Sequence, residues 1–134
     1  MHPDYERVHG WTSKVIAAAI EVHREKGPGL IETIYEKCLM RELELRGIPA
    51  VNQLVVPVGY KGYTFDEPLK LDVYVDHCLI IELKAVQAIL PIHKAQLLSY
   101  MKLLHAPLGL LINFHEMDLK DGIHRLLLQG ADRT

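Results

Sequence analysis

The apolar positions change spacing several times along the chain, and each change predicts an element. Val15, Ile16, Ala19, Ile20 and His23 share one helical stripe, with Thr12 or Ser13 as an N-cap and Gly27-Pro28-Gly29 to end the helix. A second helix is expected from near Leu30 to Arg46, stopped by Gly47. VNQLVVPVGY then alternates as a strand does and leads to a turn at Lys61-Gly62, beyond which Tyr63 to Phe65 continue a hairpin. LDVYVDHCLIIELKA (71–85) reads as two more strands. Pro91 opens a helix that runs to about residue 105, and Pro107 marks its exit. LGLLINF (108–114) reads as a buried strand, and Ile123 to Leu128 as a last one after a turn at Asp121-Gly122. The expected order is α, α, three or four strands, α, then one or two strands. It implies an α/β (α+β) fold with a central mixed sheet of four to five strands flanked by helices.

The stretch 71–85 carries charge where a plain hairpin would not. Glu82 and Lys84 share a face with Ile80, while Ile81, Leu83 and Ala85 take the other, so both faces are largely apolar. A charged group on a strand covered on both sides needs a partner or a metal. Register decides where Asp72 points. A two-residue turn at Asp76-His77 sets Asp72 opposite Ile81 and turns the two carboxylates to opposite faces. A three-residue loop, Asp76-His77-Cys78, pairs Val75 with Leu79 and sets Asp72 opposite Glu82, with Cβ atoms roughly 5 Å apart. The three-residue loop is the expected one.

Two further elements point the same way. Glu32 shares the core-facing stripe of the second helix with Tyr35, Leu39 and Leu43, whereas Glu36, Glu42 and Glu44 need not face inward. Gln96 and Tyr100 lie one turn apart on the helix at 91–105, with Lys94, Lys102 and His93 at its rim. Each feature also has a plainer reading. Glu82 and Lys84 can form a surface ion pair, Glu32 can favour the positive end of its helix, Tyr35 can pack in the core, and Gln96 and Tyr100 can be ordinary helix-surface groups.

Composition narrows the function classes. The 134 residues suit one domain, about half apolar and a quarter charged, with no linker or repeat. Val15 to Ile20 and Leu108 to Ile112 are too short to cross a bilayer, and MHPDYERVHG lacks the pattern of a signal peptide. No membrane association is expected. Cys38 and Cys78 sit in apolar patterns without CxxC spacing, so free thiols and a cytoplasmic location are expected. The eight histidines are scattered with no HxxxH pair, which disfavours zinc. A net charge of −2 gives no global attraction for a polyanion, so nucleic-acid binding would need a local basic patch or bound cations.

GLIETIY (29–35) resembles the G-x-x-E-x-x-Y signature of the bacterial GxxExxY proteins, a branch of the PD-(D/E)XK nuclease superfamily. Asp72, followed after nine residues by Glu82-Leu83-Lys84, is similar to the D…(D/E)-x-K core, and QLLSY (96–100) resembles the Q-x-x-x-Y motif of the RecB-like branch. The resemblance spans about residues 10–128, and Leu71 stands where the superfamily's name has proline. It implies a restriction-endonuclease-like core in a single domain and Mg²⁺- or Mn²⁺-dependent hydrolysis of phosphodiester bonds. By position it implies Glu32, Asp72, Glu82 and the Leu83 backbone carbonyl as metal ligands. Lys84 would position or deprotonate water or neutralise developing charge, and Gln96, Tyr100 and Tyr35 would support the site and the substrate. Hard oxygen donors suit these ions, and a bound ion turns a carboxylate cluster into an anion site. The implied partner is nucleic acid, DNA before RNA, with a homodimer as one way for so small a chain to grip it. A non-catalytic nucleic-acid-binding or protein-interaction module on the same fold is the alternative.

Overall fold

A computed structural model describes residues 1–133. Helices α1 (Tyr5–Lys26) and α2 (Glu32–Leu45) precede strands β1 (Ala50–Val56), β2 (Gly59–Tyr60), β3 (Tyr63–Thr64), β4 (Leu69–Val75) and β5 (Leu79–Lys84). Helix α3 (Pro91–Leu104), strand β6 (Leu108–Asn113), a 3₁₀ turn (Leu119–Gly122) and strand β7 (Ile123–Leu127) complete the order. Five strands form one mixed sheet, β1-β4-β5-β6-β7, in which only β5 and β6 run parallel. The α3 crossover between them is what parallel pairing requires. β2 and β3 form a separate two-stranded hairpin around Lys61-Gly62.

Each face of the sheet has its own core. Val8, Val15, Ala18 and Val22 of α1 and Tyr35, Leu39 and Leu43 of α2 pack on Val73, Val75, Ile81, Leu83, Leu110 and Ile112. On the other face, Leu97, Tyr100 and Met101 of α3 meet Leu71, Tyr74, Ile80 and Leu111. β5 and β6 are therefore covered on both sides, which explains their near-continuous apolar sequence. Gly109 is where α3 comes closest: a Cβ there would meet Met101 Sδ at 2.9 Å. Asn113, fully buried at the end of β6, accepts from the Val86 and His115 N–H groups and donates to the Val86 carbonyl, fixing the chain as it leaves β5.

The start of α1 differs from the expectation. The helix begins at Tyr5, so Thr12 and Ser13 are interior rather than capping. The Thr12 hydroxyl donates back to the His9 carbonyl at 2.8 Å and accepts from Arg125 of β7. Hydroxyl side chains can satisfy themselves inside a helix in this way, so a Thr-Ser pair is not by itself a helix start. His93 is a structural group, its Nδ1 accepting the Leu90 N–H at 2.9 Å before α3. Cys38 and Cys78 are free, half-buried and buried respectively, and burial pushes the Cys78 thiol up to about 11.

Candidate metal centre

The α1–α2 link shows what the G-x-x-E-x-x-Y spacing does locally. Gly29 adopts φ 104°, a conformation costly for any residue with a Cβ. Tyr35 Oη donates to the Gly27 carbonyl at 2.5 Å and accepts from the Leu30 N–H at 3.1 Å, and its ring stacks on Phe114 at 4.5 Å. Glu32, the first residue of α2, is held between these fixed points. Tyr35 itself is fully buried and staples the link.

The three-residue loop is present. Val75 pairs with Leu79, Tyr74 with Ile80 and Val73 with Ile81, which brings Asp72 opposite Glu82. Asp76 and His77 both have positive φ (49° and 52°), and the Cys78 N–H closes the turn on the Val75 carbonyl. Cys78 is thus the extra residue of a bulged turn. α1 pins this turn: Trp11 Nε1 donates to Asp76 Oδ2 at 2.9 Å, and Arg7 reaches the Asp76 carbonyl at 3.2 Å.

Beyond Val73–Ile81 the two strands part. A continuing ladder would give the Leu83 N–H to Leu71, but it goes instead to the Asp72 carboxylate, Oδ2 at 2.9 Å. The Lys84 carbonyl, by contrast, accepts from Phe114 on the β6 side. Because successive residues of a strand direct their backbone groups to opposite sides, the Leu83 carbonyl is directed into the gap beside Asp72. One side chain has replaced a backbone partner, and the gap it leaves is lined by oxygen.

β1 contributes to this opening. Asn52 pairs with Val73 and Leu54 with Leu71, but Gln53, opposite Asp72, turns left-handed at φ 52° and drops out of the ladder. Across that point both strands change faces: Val73 and Ala50 pack under α1 and α2, whereas Leu71 and Leu54 pack under α3. Glu36 holds the kink, its carboxylate accepting from Gln53 Nε2 at 2.6 Å and Asn52 Nδ2 at 3.1 Å. Glu36 is only 7% exposed, contrary to the expectation that it need not face inward. The signal was present in the sequence, since residue 36 lies four positions after Glu32 and three before Leu39 on one helical stripe. Glu36→Ala is expected to lower stability by roughly 2–3 kcal/mol, through two lost charge-assisted hydrogen bonds. Thermal unfolding checks this; a melting temperature equal to wild type would contradict the clamp.

The electrostatics are those of a site short of positive charge. Glu82 is 4% exposed, and burial together with the facing Asp72 pushes its carboxyl up to about 8. Burial and Asp72 also raise Glu32, with Lys84 pulling the other way and Glu36 adding to the rise. Lys84 Nζ lies 3.3 Å from Gln96 Oε1, and Gln96 Nε2 lies 3.3 Å from Tyr100 Oη. Tyr100, buried near Glu82, is raised by burial and by that carboxylate. Lys94 and Lys102 are exposed on α3 and make no ion pair among the described residues.

The fold therefore brings Asp72, Glu82 and Leu83 together, and joins Lys84, Gln96 and Tyr100 in a second group alongside. Glu32 is near enough to be shifted by Asp72, but among the described residues no three His, Cys, Asp or Glu side chains form a ready cation cage. The donors on hand are hard oxygens, and that chemistry fits a hard divalent cation.

A profile of the PD-(D/E)XK nuclease superfamily matches residues 9–126. The chain belongs to that superfamily. No curated protein and no solved structure matches it. The three helices and five-stranded mixed sheet are those of a PD-(D/E)XK fold, a superfamily of nucleases that generally use divalent ions. No helix among the described residues is long and apolar enough to cross a membrane. The matched span includes Glu32, the Asp72…Glu82-Leu83-Lys84 set and the Gln96–Tyr100 pair.

Proposed function

We propose that the chain is a single-domain, divalent-metal-dependent nuclease that hydrolyses phosphodiester bonds in DNA in the cytoplasm, and that it belongs to the GxxExxY group of the RecB-like branch. The observation that carries this reading is the parted end of β4 and β5, where Asp72 faces buried Glu82 and takes the Leu83 N–H. Asp72, Glu82, the Leu83 carbonyl and Glu32 would hold Mg²⁺ or Mn²⁺. When bound, such an ion polarises a phosphoryl oxygen and lowers the pKa of a bound water.

The chain's own residues supply the rest. Asp72 and Glu82 are fixed from both sides, Asp72 by the Leu83 amide and Glu82 by its covered strand. Lys84 carries a positive charge beside them, oriented by Gln96, where it can position or deprotonate water or offset charge on the phosphate as the bond breaks. Tyr100 holds Gln96 in turn.

Incubating the purified chain with single- and double-stranded DNA should give cleavage with added Mg²⁺ or Mn²⁺ and none in EDTA. Cleavage that persists in EDTA would defeat the reading. A second reading is a module that binds nucleic acid or protein on the same fold without turnover. Calorimetry showing Mn²⁺ binding, with no cleavage of DNA or RNA, would favour it.

A further inference from the structure

Six of the nine aromatic residues are buried or half-buried, and the other three lie within six positions of one another. Tyr60 is 62% exposed, Tyr63 76% and Phe65 46%. Their placement is ordered by the β2–β3 hairpin. Tyr60 pairs directly with Tyr63, so both rings stand on one face of it. The Phe65 N–H extends the pairing by one bond to the Val58 carbonyl at 2.8 Å, and Phe65, two residues after Tyr63, takes the same face. The opposite face carries the Gly59–Thr64 pair. A hairpin this short cannot hold itself together by burial, and three large rings on its solvent face give it no stability unless something covers them.

We propose that this face is a stacking platform for the unpaired bases of a DNA strand, so that the substrate of the neighbouring site is single-stranded or has a single-stranded end; this rests on the nuclease reading above. Position supports it. The chain leaves the hairpin into β4, and Asp72 is three residues past Leu69, about 10 Å along the strand. The hairpin thus enters β4 from the end at which β4 and β5 part, and Asp72 follows Phe65 by seven residues. Chemistry supports it as well. Flat, exposed π faces bind bases of any sequence, whereas paired bases present only their edges. Lys61 holds its Nζ 5.3 Å from the Tyr60 ring centroid, placing a cation beside the platform for the backbone phosphates. Asp66 and Glu67 follow the hairpin and offset Lys61 and Lys70, so ring stacking rather than net charge has to supply the attraction.

The test is fluorescence anisotropy of the whole chain, in EDTA, with a labelled oligothymidylate and with a labelled duplex of equal length. Tyr60→Ser and Tyr63→Ser should each weaken single-strand binding about tenfold, leave duplex binding unchanged and leave the salt dependence as it was. Tyr63→Phe, which keeps the ring, should bind as wild type. Circular dichroism confirms that the variants are folded, as exposed side chains allow. Serine variants that bind the single strand like wild type overturn the platform, and so does an equal loss on both probes. Loss of self-association in the serine variants, with DNA binding intact, also overturns it by making the face a contact between copies. Failure of the wild type to bind either probe, with or without Mn²⁺, overturns the nuclease reading as well; cleavage that the serine variants retain on both substrates defeats the platform alone.

Discussion

Lys84→Ala should slow metal-dependent DNA cleavage by about two to three orders of magnitude while leaving the fold and the divalent-ion site in place. Lys84 is half-exposed at the end of β5, so its removal opens no cavity in either core. What is lost is a cation whose charge is felt by Glu32 and Glu82 and whose ammonium is held 3.3 Å from Gln96. Lys84 also pulls the carboxyls of Glu32 and Glu82 downward, so its removal raises both. At a pH above the titration of Glu82, the variant should therefore bind Mn²⁺ as tightly as wild type or more tightly, because a competing positive charge has gone. Slow cleavage with intact ion binding separates a role in the chemistry from damage to the site. Gln96→Ala should give a smaller loss, about tenfold, since it leaves the charge and frees only its orientation. A Lys84→Ala preparation that cuts like wild type would show that the activity comes from elsewhere.

The parts of this site that the sequence made legible are those governed by local rules. Alternation along β5 put Glu82 and Lys84 on one face, and the count of residues between Val75 and Leu79 fixed the loop that sets Asp72 opposite Glu82. The G-x-x-E-x-x-Y spacing marked a unit whose glycine conformation and tyrosine hydrogen bonds lie within nine residues of each other. Two things were hidden. The face change at Gln53 and Asp72 breaks alternation in two strands at once, and nothing in either strand alone announces a left-handed glutamine. Trp11 and Arg7 anchor the Asp76 turn from 65 and 69 residues away, a distance over which no periodicity speaks. Tyr35 shares both a signature and a core-facing stripe with Glu32, and the spacing that places the glutamate also buries the tyrosine.

Glu82→Gln should stabilise the metal-free protein at pH 8 and abolish its stabilisation by Mn²⁺. The folded-state carboxyl titrates at about 8, above its ordinary 4.5, because burial and Asp72 disfavour its charge. Below about pH 4.5 the group is protonated in both folded and unfolded chains and carries no penalty. As pH rises from there toward 8, the unfolded chain releases the proton and the folded chain keeps it, so stability falls across that window and levels off above it. The loss amounts to a few kcal/mol, since each tenfold change in the ionisation equilibrium is worth roughly 1.4 kcal/mol. In EDTA, the melting temperature of the wild type should therefore drop by several degrees or more between pH 5 and pH 8 on account of this group, and the glutamine variant should lack that part of the drop. The glutamine keeps an oxygen for the weak Asp72 N–H contact at 3.4 Å, so little else changes. Added Mn²⁺ should reverse the loss in the wild type, with release of up to about one proton per ion near pH 7, because the ion binds the ionised form. The variant should show neither the recovery nor the proton release. Equal pH profiles for the two proteins in EDTA would mean that Glu82 is ionised in the fold, and Mn²⁺ stabilisation that survives the substitution would place the ion elsewhere.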